Sequence, residues 1–265
     1  MRSQVDAHAL LRQRRGDYGY DAPRQGLLPT GGGGVLLACL AALHQRGGRA
    51  RLSRLEIAAS LILFGWFAMY LHTTRRGKLE VWADILGSLP VRGDEQVLDM
   101  GCGRGGVMAM VAKLVPHGHV VGLDLWTEDQ SGNRPETTLR NLELEGVRGR
   151  CELKTGDMLT MPFPDSGFDL VVSSMAIHNI DENNIRNHSR RFLALDEAMR
   201  VLKPGGRLVV ADFWSGAYAQ HLRLQGMLDV QQRSLGWRFW YLPGFGAGLV
   251  TATKPGSAPD CASPE

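Results

Sequence analysis

The strongest constraint on the fold is a glycine-rich stretch near the middle of the chain, VLDMGCGRGG at residues 97–106. Gly101, Gly103 and Gly106 have the spacing G-x-G-x-x-G, which in nucleotide-binding sheets follows a strand and opens a helix. Glycines at such a turn let the backbone bend sharply and approach a ligand closely. The stretch therefore predicts an α/β fold that binds a nucleotide-like molecule beside this turn.

The rest of the chain from about residue 79 alternates between short apolar runs and amphipathic runs, which predicts repeated βα units and a parallel sheet with helices on both faces. Ligands bind such sheets beyond the carboxyl ends of the strands. Asn133 is the predicted N-cap of one helix. The predicted strands cover residues 96–100, 119–125, 150–155, 168–174, 207–213 and 248–253, and the predicted helices cover 107–115, 134–145 and 190–202.

Charge is distributed unevenly along the 265 residues. The first 80 residues contain twelve Lys and Arg against five Asp and Glu, whereas the rest contains 18 against 22. A basic arm on a mildly acidic domain indicates a membrane-facing or nucleic-acid-facing segment. The four cysteines are scattered without the spacing of a metal site, so no metal and a reducing compartment are expected.

Two apolar runs precede the sheet. Residues 26–45 carry no charge but are interrupted by Pro29 and several glycines, and residues 57–74 are apolar all round. The second run has the length of a spanning helix and is followed at once by basic residues. Joined by the loop 46–56, the runs would form a helical hairpin in a membrane. The alternative is a buried N-terminal helix that caps the sheet.

These patterns divide the chain into four parts. Residues 1–25 are predicted as a polar, basic arm that is weakly ordered up to Tyr18, and residues 26–77 as a hydrophobic, membrane-associated segment. Residues 78–254 form the predicted α/β domain, and residues 255–265 a disordered tail. No signal peptide with a cleavage site is evident.

Two adenosine-containing cofactors suit a glycine loop of this type, NAD and S-adenosylmethionine. Asp124 closes the second predicted strand, where a carboxylate accepts hydrogen bonds from the ribose hydroxyls that both cofactors carry. Asp99 lies inside the first strand, and a carboxylate there repels a pyrophosphate but attracts an ammonium or a sulfonium. Asp157 and Met158 follow the third strand, placed to accept from an adenine amino group and to pack on its ring. These residues favour S-adenosylmethionine.

Four motifs in this order resemble those of the class I S-adenosylmethionine-dependent methyltransferases: VLDMGCGRGG, VVGLDLW, TGDMLTMPFPDSGFDLVVSSMAIHN and EAMRVLKPGGRLVVADF. The third is similar to the small-molecule branch that includes ubiquinone and menaquinone C-methyltransferases. YGYDAP, the apolar segment and LWTEDQSGNRPETTLRNLELEGV resemble a bacterial subgroup with N-terminal membrane helices. The resemblance implies a Rossmann-like, seven-stranded, mostly parallel sheet with helices on both faces, plus an N-terminal hydrophobic helix or helical hairpin.

The resemblance also implies roles for individual residues in binding S-adenosylmethionine. Its methionine part would be held by Asp99, Gly101 and Gly103, with Ser173 or Ser174 facing the same end. Its ribose would be bound by Asp124. Its adenine would pack on Leu125 and be recognised by Asp157 and Met158.

The expected activity is methyl transfer to a small, apolar or lipid-like molecule at a cytoplasm-facing domain on the inner membrane. His178 follows the fourth strand and is the candidate catalytic base. Three interpretations of the aromatic run 237–241 are open: it lines a substrate pocket, it lies at the membrane interface, or it connects two strands. A membrane-tethered protein that binds the cofactor without turnover, and an NAD-dependent oxidoreductase, are the alternatives. No nucleic-acid partner is expected, because the domain is net acidic and no Asn-Pro-Pro-aromatic motif follows the fourth strand.

Overall fold

A computed structural model of the chain describes residues 4–21, 28–127, 130–180 and 189–256. The expected disordered tail lies outside these residues, apart from its first two positions. The described strands are β1 Gln96–Met100, β2 His119–Asp124, β3 Cys151–Thr155, β4 Phe168–Ser174, β5 Leu202–Asp212, β6 Leu228–Ser234, β7 Trp240–Leu242, β8 Phe245–Gly246 and β9 Gly248–Thr253. The described α-helices are α1 Gln4–Arg12, α2 Gly33–Arg46, α3 Ala50–His72, α4 Lys78–Ser88, α5 Gly106–Leu114, α6 Pro135–Leu144, α7 Ser189–Val201 and α8 Ser215–Leu224.

Seven strands form one mostly parallel sheet in the order β3-β2-β1-β4-β5-β9-β6, which confirms the predicted Rossmann-like fold. Only β9 runs against its neighbours β5 and β6 among the strands of this sheet. The carboxyl ends of β1, β2 and β4 therefore meet at one edge, where a ligand is expected. The strands β7 and β8 pair separately as a short antiparallel ribbon.

Both faces of the sheet are covered, which is why its central strands read as continuous apolar runs. On one face, Val97 and Val172 pack in a cluster with Trp82 of α4 and Met108 of α5. Helices α1 and α6 contribute to the same cluster. On the other face, Leu98, Val171 and Val210 pack in a cluster that includes side chains of α7 and α8.

The structure departs from the sequence-based predictions at β6, which was not predicted, at β5 and at Asn133, among other places. The strand β6 has the sequence LDVQQRS, and its mostly exposed edge position explains why no apolar pattern marks it. The strand β5 begins at Leu202 rather than at the predicted residue 207. Its two paired stretches are separated by an irregularity at residues 203–206. Asn133 is not a helix cap: Arg134 precedes α6, and the Asn133 amide instead donates to Asp124 Oδ1 at 3.2 Å and to the Thr127 carbonyl at 3.0 Å.

The two apolar runs form an antiparallel helical hairpin of α2 and α3, called here the hydrophobic hairpin (residues 33–72). The helices approach closely because glycines of α2 face large side chains of α3, with Gly34 against Phe64. The Ser60 hydroxyl donates to the Gly34 carbonyl, and His44 pairs with Glu56 near the loop.

The outer surface of the hydrophobic hairpin is exposed and apolar, with Leu36, Leu43 and Leu61 each more than half exposed. Within the described residues, one continuous helical run, 50–88, is long and apolar enough to cross a bilayer. Only 11% of its most apolar window is buried. That exposure is the reverse of what a helix buried against the sheet would show.

Part of the N-terminal arm forms the helix α1 and packs on the domain, where weak order was expected up to Tyr18. Leu11 of α1 is fully buried in the same cluster as α4 and α5. The Tyr18 hydroxyl donates to Glu145 Oε1 at 2.9 Å. The sequence-based interpretation weighed the arginines of this arm and missed the apolar side chains that dock it.

Candidate active site

The glycine loop forms a tight turn between β1 and α5. Gly101 has φ +75°, and a Cβ there would lie 2.2 Å from the Cβ of Ala176. Gly103 has φ +49°, and a Cβ there would lie 2.6 Å from Gln130 Oε1. Gly101 is therefore required by backbone conformation and by close approach, whereas Gly103 is favoured by its left-handed backbone, because the Gln130 side chain could shift aside. They help to line a cavity of about 500 Å³ at the carboxyl end of the sheet.

Asp99 lies on the wall of this cavity and is only 1% exposed. Neither of its carboxylate oxygens has a hydrogen-bond partner among the described residues. Burial, and then the like charge of Asp124, raise the pKa of Asp99 to about 7, while the Met108 backbone amide acts in the opposite direction. A cationic group in the cavity would supply the partner that the protein does not.

Asp124 ends β2 and is held by three donors. Its Oδ2 accepts from the Gly103 amide at 2.7 Å. Its Oδ1 accepts from the Trp126 amide at 2.7 Å and from the Asn133 side chain. An ionised carboxylate has about four acceptor positions, so room remains for a ligand hydroxyl. The side chain is thus fixed in direction where a ribose is expected.

The cavity brings together nearly all the residues singled out in the sequence. Leu125, Asp157 and Met158 line it, as does Ser174, whose hydroxyl accepts from Trp82 Nε1 at 2.7 Å. Ser173 points the other way: it is fully buried, and its hydroxyl donates to the Met100 carbonyl at 2.8 Å. Alternation along β4 explains the difference, because neighbouring strand residues face opposite sides.

His178 lines the cavity and pairs with a buried carboxylate that the sequence-based interpretation missed. Its Nδ1 lies 3.0 Å from Oδ1 of Asp212, which ends β5 and is fully buried. The His178 backbone amide also donates to Asp212 Oδ2 at 3.1 Å, and the Phe213 amide donates to Oδ1. This arrangement holds His178 beside the Asp212 carboxylate on the cavity wall. A carboxylate closing the last parallel strand was the signal available in the sequence.

Asp21 of the N-terminal arm is a second missed residue. Its Oδ1 accepts from Lys78 Nζ and from Gln130 Nε2, and its Oδ2 accepts from the Tyr241 hydroxyl. The Asp21 carbonyl accepts from the Tyr70 hydroxyl at 2.7 Å. One residue thus ties the hydrophobic hairpin, α4, the loop after β2 and β7 together at the cavity.

Aromatic rings form the wall beyond His178. Phe213 packs edge-on against the His178 ring at 4.8 Å and stacks on Phe245 at 4.7 Å. Tyr241 packs edge-on against Phe213 at 5.6 Å. This side of the cavity suits a flat or apolar molecule. In the described ranges, no three His, Cys, Asp or Glu side chains are grouped as metal ligands.

Residues 98–210 match the model of a protein family described as "Methyltransferase domain". Over these residues the chain is similar to methyltransferase domains. A Ruegeria sp. (strain TM1040) protein named "Ubiquinone/menaquinone biosynthesis C-methyltransferase UbiE" is 34% identical over 134 residues, 50% of this chain and 48% of that protein. A protein of the same name from Pasteurella multocida (strain Pm70) is 36% identical over 46% of this chain and 41% of its own length. This chain therefore spans about half the length of the curated relatives it matches.

Solved structures share the fold of the methyltransferase domain. A geranyl diphosphate methyltransferase in complex with GPP and sinefungin has a TM-score of 0.51 at 19% identity, covering 71% of this chain and 82% of that one. The [4+2]-cyclase SpnF has a TM-score of 0.52 at 21% identity, covering 66% of this chain and 80% of its own. At these identities the likeness establishes the fold, and the chemistry must be argued from the cavity.

Proposed function

We propose that this chain transfers a methyl group from S-adenosylmethionine to a small, apolar acceptor. The observation that carries the proposal is Asp99, a buried carboxylate on the cavity wall without a partner among the described residues. The methionine part of S-adenosylmethionine offers an ammonium and a sulfonium, whereas NAD would bring a pyrophosphate that Asp99 repels. The same residue therefore disfavours the oxidoreductase alternative.

The residues around the cavity suit each part of this cofactor. Asp99, Gly101 and Gly103 would hold the methionine part, with Ser174 beside them. Asp124 would bind the ribose. Leu125, Asp157 and Met158 would contact the adenine. The bound cofactor supplies an activated methyl group, and the protein supplies alignment and exclusion of water.

The acceptor side of the cavity supports an apolar molecule with a flat group. Phe213, Tyr241 and Phe245 provide aromatic surface next to His178. The curated relatives, named for C-methylation in ubiquinone and menaquinone biosynthesis, support an acceptor that bears a ring. A methylated carbon or oxygen must lose a proton, so this acceptor calls for a base.

His178 is the proposed base, and Asp212 is the residue that positions it. With a proton on Nδ1, which lies 3.0 Å from Asp212 Oδ1, the other ring nitrogen Nε2 would accept a proton from the acceptor. The buried carboxylate also stabilises the imidazolium that results. The His178–Asp212 pair favours an enzyme over a protein that binds the cofactor without turnover, because such a binding protein would need no base.

Membrane association completes the proposal. The hydrophobic hairpin exposes apolar side chains on its outer surface, and α3 has the length to span a bilayer core. The methyltransferase domain would lie at the inner membrane and face the cytoplasm. The cofactor is made in the cytoplasm. The hairpin would then keep the cavity close to acceptors dissolved in the bilayer.

The test is calorimetric titration of the full chain in detergent with S-adenosylmethionine, its demethylated product and NAD. We expect binding of the first two, weakened by Asp124→Ala, and no heat with NAD. Product analysis with labelled S-adenosylmethionine and demethylated quinols then tests turnover. Binding without turnover by wild type and by His178→Gln alike would support the binding protein, and NAD binding alone would refute the assignment of Asp99.

A further inference from the structure

The segment Trp237–Gly246 exposes large apolar side chains although it lies outside the hydrophobic hairpin. Trp237 is 60% exposed, Leu242 is 42% exposed and Phe245 is 49% exposed. Apolar side chains scattered singly over a surface are ordinary, but a group within nine residues is a candidate contact surface. These three side chains are called the outer apolar patch.

The outer apolar patch adjoins the hydrophobic hairpin. The His72 ring at the end of α3 stacks on Trp237 with ring centroids 5.3 Å apart. The Thr73 hydroxyl, one residue further on, donates to the Trp240 carbonyl of β7. The patch therefore lies next to the end of α3, where that helix would leave the proposed bilayer.

The charges beside this junction favour a lipid surface as the partner. Arg75 and Arg76 lie three and four residues beyond the end of α3 and are exposed. Trp66, 37% exposed, lies less than two turns before the end of α3. Tryptophan at the headgroup level, followed by arginines that meet anionic headgroups, is the usual arrangement at a membrane interface.

Two of the three side chains of the outer apolar patch also belong to the cavity. Leu242 and Phe245 line the cavity as well as being exposed, and Phe245 stacks on Phe213 beside His178. A surface that rests on lipid through these two residues would place the aromatic wall of the cavity directly at the acyl boundary.

We propose that the outer apolar patch docks on the headgroup–acyl boundary of an anionic phospholipid bilayer. The hairpin anchors the chain, and the patch fixes the orientation of the methyltransferase domain so that the cavity opens at the lipid surface. This inference rests on the membrane association proposed above, and it adds a second, separate contact with lipid.

The test measures lipid contact residue by residue in the full chain. The variants Phe245→Cys and Leu242→Cys are labelled with bimane in a Cys39→Ser, Cys261→Ser background and reconstituted in phosphatidylcholine–phosphatidylglycerol vesicles. Vesicles containing doxyl-labelled lipid quench a label at the acyl boundary. Leu61→Cys on the hairpin is the positive control. Leu228→Cys is the negative control. Leu228 is 52% exposed and lies at the end of the sheet away from the cavity, because it pairs with Thr253, whereas Asp212 at the cavity pairs with Gly248.

We expect the labels at 61, 242 and 245 to lose most of their fluorescence, and the label at 228 to keep it. Quenching at 61 but not at 242 and 245 overturns the docking while leaving the membrane anchor intact. Quenching at none of these positions overturns the anchor and the docking together. Fluorescence at 245 that changes with protein density but not with doxyl lipid assigns the patch to a second copy of the chain and also overturns the proposal.

Discussion

The Tyr241 hydroxyl donates a hydrogen bond to Asp21 Oδ2 across 2.7 Å, although 220 positions separate the two residues in the chain. Burial, and then the nearby Asp21 carboxylate, raise the pKa of Tyr241 well above its usual value, so the phenol stays protonated and remains a donor. Lys78 and Gln130 donate to the other oxygen of Asp21. The N-terminal arm is thereby held against the cofactor side and the acceptor side of the cavity at once.

Removal of this carboxylate is expected to weaken cofactor binding. Asp21→Ala leaves Lys78, which is 8% exposed, without its charged partner and removes one hydrogen bond of Gln130, which contacts the glycine loop at Arg104. Hydrogen bonds to charged groups contribute about 1.5–3 kcal/mol, so affinity for S-adenosylhomocysteine should fall roughly 10- to 100-fold. Titration calorimetry measures it. The control is Asp94→Ala, which removes a carboxylate from an exposed pair with Arg92 and should bind like wild type. Equal affinities in the two variants would contradict the prediction.

Asp99→Asn is expected to stabilise the ligand-free protein at neutral and higher pH. The unfolded carboxyl has a pKa near 3.8, whereas the folded one has a pKa of about 7. Between these values the folded protein binds more protons, so ionisation of this group lowers the free energy of unfolding as the pH rises. Asparagine does not ionise, and the gain at about pH 8 should reach at most about 4 kcal/mol. Thermal unfolding across this range measures it, and a gain that is constant with pH would contradict it.

The same substitution should nearly abolish binding of the cofactor. The proposed partner of the ammonium is the ionised form of Asp99, so wild type should bind S-adenosylhomocysteine more tightly as the pH rises through about 7. Below that pH, binding should release a proton, visible as heat that depends on the buffer. Asp99→Asn should show neither effect. A variant that binds as well as wild type would remove the main support for the proposed function.

Gly101→Ala is expected to destabilise the methyltransferase domain strongly. Its Cβ would lie 2.2 Å from the Cβ of Ala176, and its φ of +75° is unfavourable for alanine. Overpacking and left-handed backbone together cost roughly 2–4 kcal/mol. The matched control is Gly149→Ala, where a Cβ meets nothing within 4 Å, and its change should stay within about 0.5 kcal/mol. Denaturant unfolding of both variants measures the change in the free energy of unfolding. Similar losses of stability in the two variants would show that the clash at residue 101 is relieved at little cost.

Asp212→Asn tests the positioning of His178. Asparagine retains one acceptor for the backbone amides but cannot stabilise an imidazolium, so kcat should fall by roughly 10²–10⁴ while cofactor affinity stays unchanged. His178→Gln should lose a similar factor, and the double variant little more, because the two residues act as one unit. Additive losses in the double variant, or a change confined to cofactor affinity, would assign these residues to structure instead.

Local patterns predicted much of the fold and part of the site. The bounds of β1, β4 and β9 and the tight turn at Gly101 follow from short runs of residues, because alternation of strands and helices and the conformational freedom of glycine are local properties. Asp99 and Asp124 were identifiable for the same reason: a carboxylate at the end of a parallel strand must lie at the ligand edge of the sheet.

Other features depended on contacts between distant segments. Ser173 and Ser174 are chemically equivalent in the sequence, and only the pleat of β4 turns one toward Met100 and the other toward the cavity. The side chain of Asn133 has the chemistry of a helix cap, but a competing acceptor on β2 takes its amide. In both cases the local sequence is compatible with two arrangements, and the surrounding packing selects one.

The sequence by itself determined the parallel sheet, the glycine turn and the choice of an adenosine cofactor with a cationic end, because each follows from residues within a few positions of one another. Only the tertiary structure decided that Asp212 meets His178 and that Asp21 meets Tyr241. Those pairings depend on how strands and the N-terminal arm cross the same cavity. Their hydrogen bonds form between groups far apart in the chain, and no local preference encodes which of them come together.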